Sequence, residues 1–574
     1  MHLRDPRVRT PEAASLPPSP ADRATEMADG PGEALPEPAE VARSLVAAVR
    51  EHRVLALLLA IALGVSVWLR FQTTSALWLD EALTVNIARA PLGSIPHLLR
   101  EDGAPPLYYF LLHGWILLFG QGNLATRSLS GMFGVINLPV AYVAGSRIGS
   151  RWWTIDRATG EDRRARLERG RIVGWGALLL LASSPFAVYY DTEARMYGLV
   201  ILLGSVAIVI YTSLLRHPSL LGALALAGDT AALLYSHYWS LFAGAVVGAG
   251  TILWALKAHD ERTRKACRYA IAGLVAGLLA FIPWVPTFAF QLRHTGTPWA
   301  SPAGLTAVIF TITQFAGGNS DPGRALALIF FFLGVVALAG APYGRRMVLL
   351  DLRSRPGIRA LALVVAGTLV LAVVAGRLTG STFADRYTSV IAFPALLIVA
   401  YGLSQLPEQR IRYGVLGAAV ALGFAASIPN AFLSRTQGGQ VGAAVSAQGH
   451  AGDVVAFCPD QLGPAVSRSL QGDFKALTFP RRTSPDLVDW VNYTKTVEAA
   501  KPGAFVTDLV HLAGTTHTIW YVWAPNYLGY ANKCQAIADA LSRARPQHVV
   551  VPARASDTPY EIFEGETLDR YPPR

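Results

Sequence analysis

Long apolar runs, separated by short polar stretches, recur from residue 54 to residue 430. A run near 20 apolar residues is what a helix needs to cross a hydrocarbon core of roughly 30 Å. The pattern predicts spans at 54–70, 127–146, 172–189, 197–215, 219–236, 239–257, 269–287, 325–342, 360–376, 388–403 and 413–430. One further run, Pro106–Gly120 (PLYYFLLHGWILLFG), holds 15 residues and suits a membrane-lying or re-entrant helix as well as a span. Beyond residue 430 the long runs stop. GDVVAFC, HTIWYVWAP and QHVVVPA read as short strands, and Asp486–Ala500 and Ala531–Arg545 as helices.

Charge chooses between the two readings of Pro106–Gly120. If that run does not cross and the N-terminus is cytoplasmic, the inner loops carry 21 Lys/Arg and the outer loops 7, in accord with the positive-inside rule. If it crosses, the loop 147–171, with eight Arg, moves outside and the correlation is lost. Residues 71–126 therefore form one long outer loop with a helix lying on the membrane, and the residues after 430 lie outside.

Composition agrees: 52% of residues are hydrophobic and 16% charged. The net charge of +11 sits largely in the inner loops, so it points to membrane topology and not to nucleic acid as a partner. Residues 1–52 are rich in Pro, Ala, Glu and Arg and are expected to stay disordered. Val54–Arg70 begins too far along to be an ordinary cleaved signal and is expected to act as an uncleaved anchor. The expected organisation is a cytoplasmic segment 1–52, a helical membrane region 53–430 and a small extracytoplasmic α/β domain 431–574. Two of the three cysteines, Cys458 and Cys534, fall in that last region, where they form a disulfide or remain two buried thiols.

Polar groups at membrane edges are costly, which makes each one a functional candidate. Asp80 and Glu81 stand in SALWLDEALTV, ten residues past the first span. Asp80 reads as a general base or as the N-cap of a helix starting at Glu81. Glu193, Arg195 and Tyr197 follow the third span, either as a site or as an interfacial ion pair. Arg377, Arg386 and Tyr387 lie at the outer ends of spans nine and ten, where guanidinium suits an anionic head group or simply snorkels. His237 and Asp102 complete the set on the same side. The sequence contains no metal-ligand motif, no GxxxxGK[ST] phosphate loop, no CxxC and no nucleophile elbow.

The order Leu79-Asp80-Glu81, Asp102-Gly-Ala-Pro-Pro-Leu-Tyr-Tyr109, Glu193-Ala-Arg-Met-Tyr197 and Arg386-Tyr387 resembles that of the C-type (GT-C) glycosyltransferases. Within these it resembles the family 39 group that includes protein O-mannosyltransferases and lipid A aminoarabinose transferases. The resemblance covers residues 54–405. It implies a GT-C-like, all-α polytopic membrane fold of about 11 spans with a catalytic first outer loop. It also implies Asp80 as general base, with Glu81 orienting the acceptor or holding a divalent ion. The donor phosphate would meet Arg386, Arg195, Arg377 and Tyr387, and substrate would meet Asp102, Glu193, Tyr197 and His237.

The implied donor is a polyprenyl-phosphate sugar, with mannose the first expectation and arabinose-type sugars next. The acceptor is a hydroxyl on a protein, glycolipid or polysaccharide outside the plasma membrane. Transfer proceeds with inversion, and the resemblance favours a reaction without metal or other cofactor. Relatives carry His-Pro-Pro-Leu where Ala104 stands here, and Asp102 is the nearby residue able to take part of that His role. The contrasting reading is a secondary transporter or a non-catalytic polymer-handling protein. Transporters, however, place polar groups near the midplane of two matching halves, and here the charges cluster at the outer ends.

Overall fold

The computed structural model describes residues 53–151, 163–296, 304, 310–311, 313–343, 347–350, 356–379, 383–525, 527–554 and 563–574. The segment 1–52, expected to be disordered, lies outside the described residues. Two units are distinguished. The first, Met1–Ile61, is described only as the beginning of α1 (Arg53–Phe71), and Ala62–Arg574 holds all that follows.

Four helices follow α1: α2 (Leu79–Arg89), α3 (Ile95–Asp102), α4 (Leu107–Phe119) and α5 (Asn123–Ser150). Next come α6 (Arg163–Ala182), α7 (Pro185–Asp191), α8 (Tyr197–Arg216), α9 (Leu220–Ser236), α10 (Ser240–Lys257), α11 (Glu261–Ala280) and α12 (Val285–His294). The last helices of the membrane region are α13 (Asp321–Ala339), α14 (Pro356–Thr379), α15 (Ser389–Leu403) and α16 (Gln409–Ser427). Among the described residues nine helical stretches are long and apolar enough to cross a membrane, or ten if the bent pair α6–α7 is one span. These, with the 17-residue α9, coincide with the eleven stretches expected from the sequence. The protein is a multi-pass membrane protein.

The bend of 54° between α6 and α7 has a local cause. Ser184 caps the new helix, accepting from the Ala187 N–H at 3.2 Å, and Pro185 occupies its first turn. The helix α4 has 13 residues, about 20 Å of rise, which is too short for a hydrocarbon core of about 30 Å. It buries Tyr108, Tyr109 and Leu112 against the neighbouring helices.

Close packing near α1 depends on glycine. A Cβ at Gly134 of α5 would collide with the Asp191 carboxylate, and one at Gly198 would lie 2.7 Å from it. The space left by the two glycines admits a buried ion pair, Arg70 Nε to Asp191 Oδ2 at 2.9 Å. The other Arg70 nitrogens donate to Ser66 and to the carbonyls of Leu181 and Ala182, so the guanidinium is well satisfied.

The C-terminal region carries a five-stranded sheet in the order β4-β3-β5-β7-β6. Its strands are β3 (Val454–Cys458), β4 (Lys475–Thr478), β5 (Ile519–Trp523), β6 (His548–Val551) and β7 (Thr567–Tyr571); β1 (Gly340–Tyr343) and β2 (Met347–Leu350) form a separate hairpin between α13 and α14. β3 runs parallel to β4 and β5, and β7 runs antiparallel to β5 and β6. Successive residues on a strand face opposite ways. Val454, Ala456 and Cys458 accordingly share one apolar cluster with Trp78, Leu79, Leu83 and Tyr109 of the loop after α1, while Val455 and Phe457 face a second cluster with Trp520 and Val522. One face of the sheet is thus continuous with the core around α2.

Three of the five strands were anticipated; β4 and β7 were not. The helix expected at Asp486–Ala500 begins only at Tyr493. Residues 486–492 spend their backbone groups elsewhere: the Trp490 N–H donates to the Glu101 carbonyl at 3.2 Å, and Arg481 donates to the carbonyls of Asp489 and Val491. Cys458 and Cys534 are joined by a disulfide, and Cys534 lies on the helix Lys533–Ala544, close to the second expected helix.

Candidate active site

The site forms where α2, the loop between α7 and α8, and the turn before α15 converge. The first turn of α2 contains both acids of the Asp80-Glu81 pair. Consecutive residues on a helix point about 100° apart, and this separates their fates. Glu81 turns inward and is fully buried. Its Oε1 accepts from Arg127 Nε at 2.7 Å and from the Ala194 N–H at 2.9 Å, and its Oε2 accepts from Arg127 Nη2 at 2.5 Å. Arg127 also donates to the carbonyls of Ser75 and Ala76. Both oxygens are engaged inside the protein, so the carboxylate ties the first turn of α2 to α5 and to the loop before α8.

Asp80 points the other way. Its side chain is 15% exposed, and its Oδ2 lies 3.4 Å from Arg386 Nη2 and 3.9 Å from Arg195 Nη2. The N-cap reading of Asp80 does not hold, because the helix starts at Leu79 and its N-cap, Trp78, makes no side-chain cap. Arg386 is carried on a 3-10 turn, Asp385–Thr388, closed by Thr388 Oγ1 on the Asp385 carbonyl and Ser389 Oγ on the Arg386 carbonyl, both at 2.6 Å. Its guanidinium stands 5.8 Å from the ring centres of both Trp78 and Tyr387, within cation–π range.

Arg195 is placed by short backbone contacts. Thr192 Oγ1 donates to the Tyr189 carbonyl at 2.7 Å and ends α7, and the Arg195 N–H returns to the Glu193 carbonyl at 2.7 Å. The guanidinium donates to Thr84 Oγ1 at 2.7 Å and to Tyr109 Oη at 3.3 Å. Tyr109 in turn donates to Asp102 Oδ2 at 3.0 Å. Asp102, Tyr109, Arg195 and Asp80 thus form a chain of polar contacts. Burial pushes the Asp102 carboxyl up to about 6, against the pull of Arg195 and the Tyr109 hydroxyl.

The other expected residues divide. His237 is buried, its ring 6.0 Å from that of Tyr197 and 5.3 Å from that of Tyr387. Burial, then Arg195 and Arg386, push it down to about 3, so the imidazole is neutral, with Nδ1 accepting from the Trp239 N–H at 3.2 Å. Tyr197 is fully buried beside Tyr190. Glu193 is also fully buried, with Arg435 at 3.9 Å, and its burial pushes the carboxyl up to about 7. Glu193 faces Arg435, and the Arg195 guanidinium carbon stands 5.9 Å from the Tyr197 ring centre. Arg377 is exposed in the last turn of α14. Ala104 is buried, and its carbonyl accepts from Gln291 at 3.3 Å.

Sequence reasoning missed Arg127, Thr84 and Arg435. Arg127 stands five residues into α5 and was counted as the first residue of a span; an Arg at that point is the signal that was available. Arg435 donates to Thr192 at its carbonyl (3.1 Å) and hydroxyl (2.7 Å) and lies 4.3 Å from the Tyr189 ring centre. It is separated from that loop by 243 positions, and no local pattern marks it. Among the described residues no group of three or more His, Cys, Asp or Glu is placed to hold a metal ion.

No protein-family model and no curated protein matches the chain. Among solved structures it is similar to ArnT from Cupriavidus metallidurans bound to undecaprenyl phosphate, at 13% identity and a TM-score of 0.54, covering 90% of this chain and 97% of that one. The same ArnT in the apo state gives 15% identity, a TM-score of 0.53 and the same coverage. The chain therefore has the fold of ArnT, a GT-C architecture, over nearly its whole length.

Two outcomes follow for the residues around Asp80. Glu81→Ala would leave Arg127 charged and uncompensated in the core, at a cost of about 3–5 kcal/mol. Loss of a monodisperse, cooperatively melting species in detergent is expected, and normal melting would refute the role. The Asp102 carboxyl has a higher pKa folded than unfolded, so its contribution to stability is complete below about pH 4 and is lost as pH rises through about 6. Asp102→Asn, which retains an acceptor for Tyr109, is expected to melt above wild type near pH 7.5 and not near pH 4. A gap of the same size at both pH values would count against this.

Proposed function

We propose that the protein is a membrane glycosyltransferase that moves a sugar from a polyprenyl-phosphate donor to an acceptor hydroxyl, with inversion. The observation that carries this reading is the partly open Asp80 carboxylate flanked by the guanidiniums of Arg386 and Arg195. It occurs in a fold shared with a protein crystallised on undecaprenyl phosphate.

A phosphodiester bound here competes with Asp80 for Arg386 and Arg195, helped by the Tyr387 ring. As the cations turn to phosphate, Asp80 is released to act as base. The acceptor oxygen forms its bond to the anomeric carbon as the bond from that carbon to phosphate oxygen breaks, and the hydroxyl proton passes to Asp80. Polyprenyl phosphate leaves with its added negative charge held by the guanidiniums, a preorganised stabilisation of the kind that lowers barriers most. Neutral His237, beside the Tyr197 and Tyr387 rings, adds no charge near the guanidiniums.

The threefold excess of Lys/Arg on one set of loops supports a cytoplasmic N-terminus, with the site and residues 431–574 facing outward. On this reading residues 53–430 are the catalytic region of a plasma-membrane enzyme and 431–574 its extracytoplasmic part. Mannose is the first sugar to try and an arabinose-type sugar the second. The acceptor is a protein, glycolipid or polysaccharide hydroxyl.

The test uses full-length protein in detergent, radiolabelled polyprenyl-phosphate mannose and a membrane extract as acceptor. Asp80→Asn is expected to fold as wild type does and to lose about 10²–10⁴-fold in rate; a wild-type rate would refute the base. Arg386→Ala is expected to raise the apparent donor KM about tenfold with little change for acceptor. An unchanged donor KM would remove Arg386 from the phosphate site.

A further inference from the structure

The helix that carries Asp80 has no cap of its own. Trp78 at its N-cap makes no side-chain hydrogen bond, yet helix N-termini leave backbone donors that need partners. The Leu79 N–H finds one 485 positions away: it donates to Glu564 Oε1 at 2.9 Å. Leu79 is the residue directly before Asp80, so this contact sets the start of the turn from which the carboxylate projects.

Glu564 is itself held in place. Its N–H donates to the Arg435 carbonyl and its own carbonyl accepts from the Gln437 N–H, both at 2.9 Å, in a parallel bridge opposite Thr436. Two residues on, Glu566 accepts from Thr436 Oγ1 at 3.2 Å. The same short segment reaches the other half of the site. The Arg435 N–H donates to Ser75 Oγ at 2.8 Å, and its guanidinium grips Thr192 in the loop that carries Arg195. Residues 435–437 and 564–566 thus form a clasp that touches both the Asp80 helix and the Arg195 loop.

We infer that Glu564 is a positioning residue for Asp80, acting through the amide of Leu79, so that the C-terminal region completes the active site in addition to any part it plays in acceptor choice. This rests on the reading of Asp80 as the base. The contact needs an acceptor oxygen and not a charge. Burial pushes the Glu564 carboxyl up to about 8, and its carbonyl oxygen accepts the Leu79 N–H whether or not the group is protonated.

The experiment compares kcat and donor KM for full-length wild type, Glu564→Ala and Glu564→Gln, per mole of folded protein. Glu564→Ala is expected to lower kcat about tenfold, because a small misplacement of a catalytic group weakens the chemical step, with donor KM within about twofold. Glu564→Gln keeps an acceptor oxygen and is expected to stay within about threefold of wild-type kcat. Should Glu564→Ala fail to fold, Glu564→Asp, one methylene too short to reach Leu79, carries the same expected loss. Wild-type kcat in Glu564→Ala or Glu564→Asp overturns the inference, as does an equal loss in Glu564→Gln. An inactive Asp80→Asn beside a fully active Glu564→Ala rejects this inference alone, whereas an active Asp80→Asn rejects the reading beneath it.

Discussion

The buried pair between Glu81 and Arg127 is the interaction on which the site depends. A carboxylate with no solvent exposure is tolerable only when its lone pairs are used, and Arg127 and the Ala194 amide use them. Because neighbouring residues on a helix diverge, anchoring Glu81 inward turns Asp80 outward. The Ala194 amide also ties the loop bearing Arg195 to the same carboxylate. One ion pair thereby fixes Asp80 and one of the two cations that face it.

Around that anchor the molecule spends its hydrogen bonds on placement. The turn holding Arg386 is closed by two hydroxyls, and the loop holding Arg195 by Thr192 and the Glu193 carbonyl. Aromatic rings stand beside the two guanidiniums, Trp78 and Tyr387 beside Arg386 and Tyr197 beside Arg195. Both guanidiniums have little solvent exposure, and attraction between fixed charges is stronger there than in water.

How much of this the sequence disclosed depends on the range over which each feature is encoded. Membrane helices are written locally, as runs of apolar residues, and each of the eleven stretches corresponds to a helix here. Asp80, Arg195 and Arg386 were legible because each is a charge where charge is costly. The distinction between Asp80 and Glu81 was not, since it turns on which face of α2 meets Arg127. Arg435 and Glu564 left no trace in their surroundings, because their partners lie hundreds of positions away. The burial of Glu193 and Tyr197 and the exposure of Arg377 were not legible either, because long-range packing sets them. In the C-terminal region, β7 reads TLDRY, whose polar residues hid a strand that lies between β5 and β6.

The place of β7 has a consequence for biogenesis. Synthesis proceeds from the N-terminal end, so α2 exists long before the strand that follows Glu564. β7 separates β5 from β6, so the sheet cannot close until β7 has inserted, and pairings of such long sequence separation form late. During that interval a nascent molecule can have its membrane helices in place and its Leu79 amide still uncapped. The turn that carries Asp80 then takes its final form only when the last strand is in place, so the geometry of the candidate site reports completed folding.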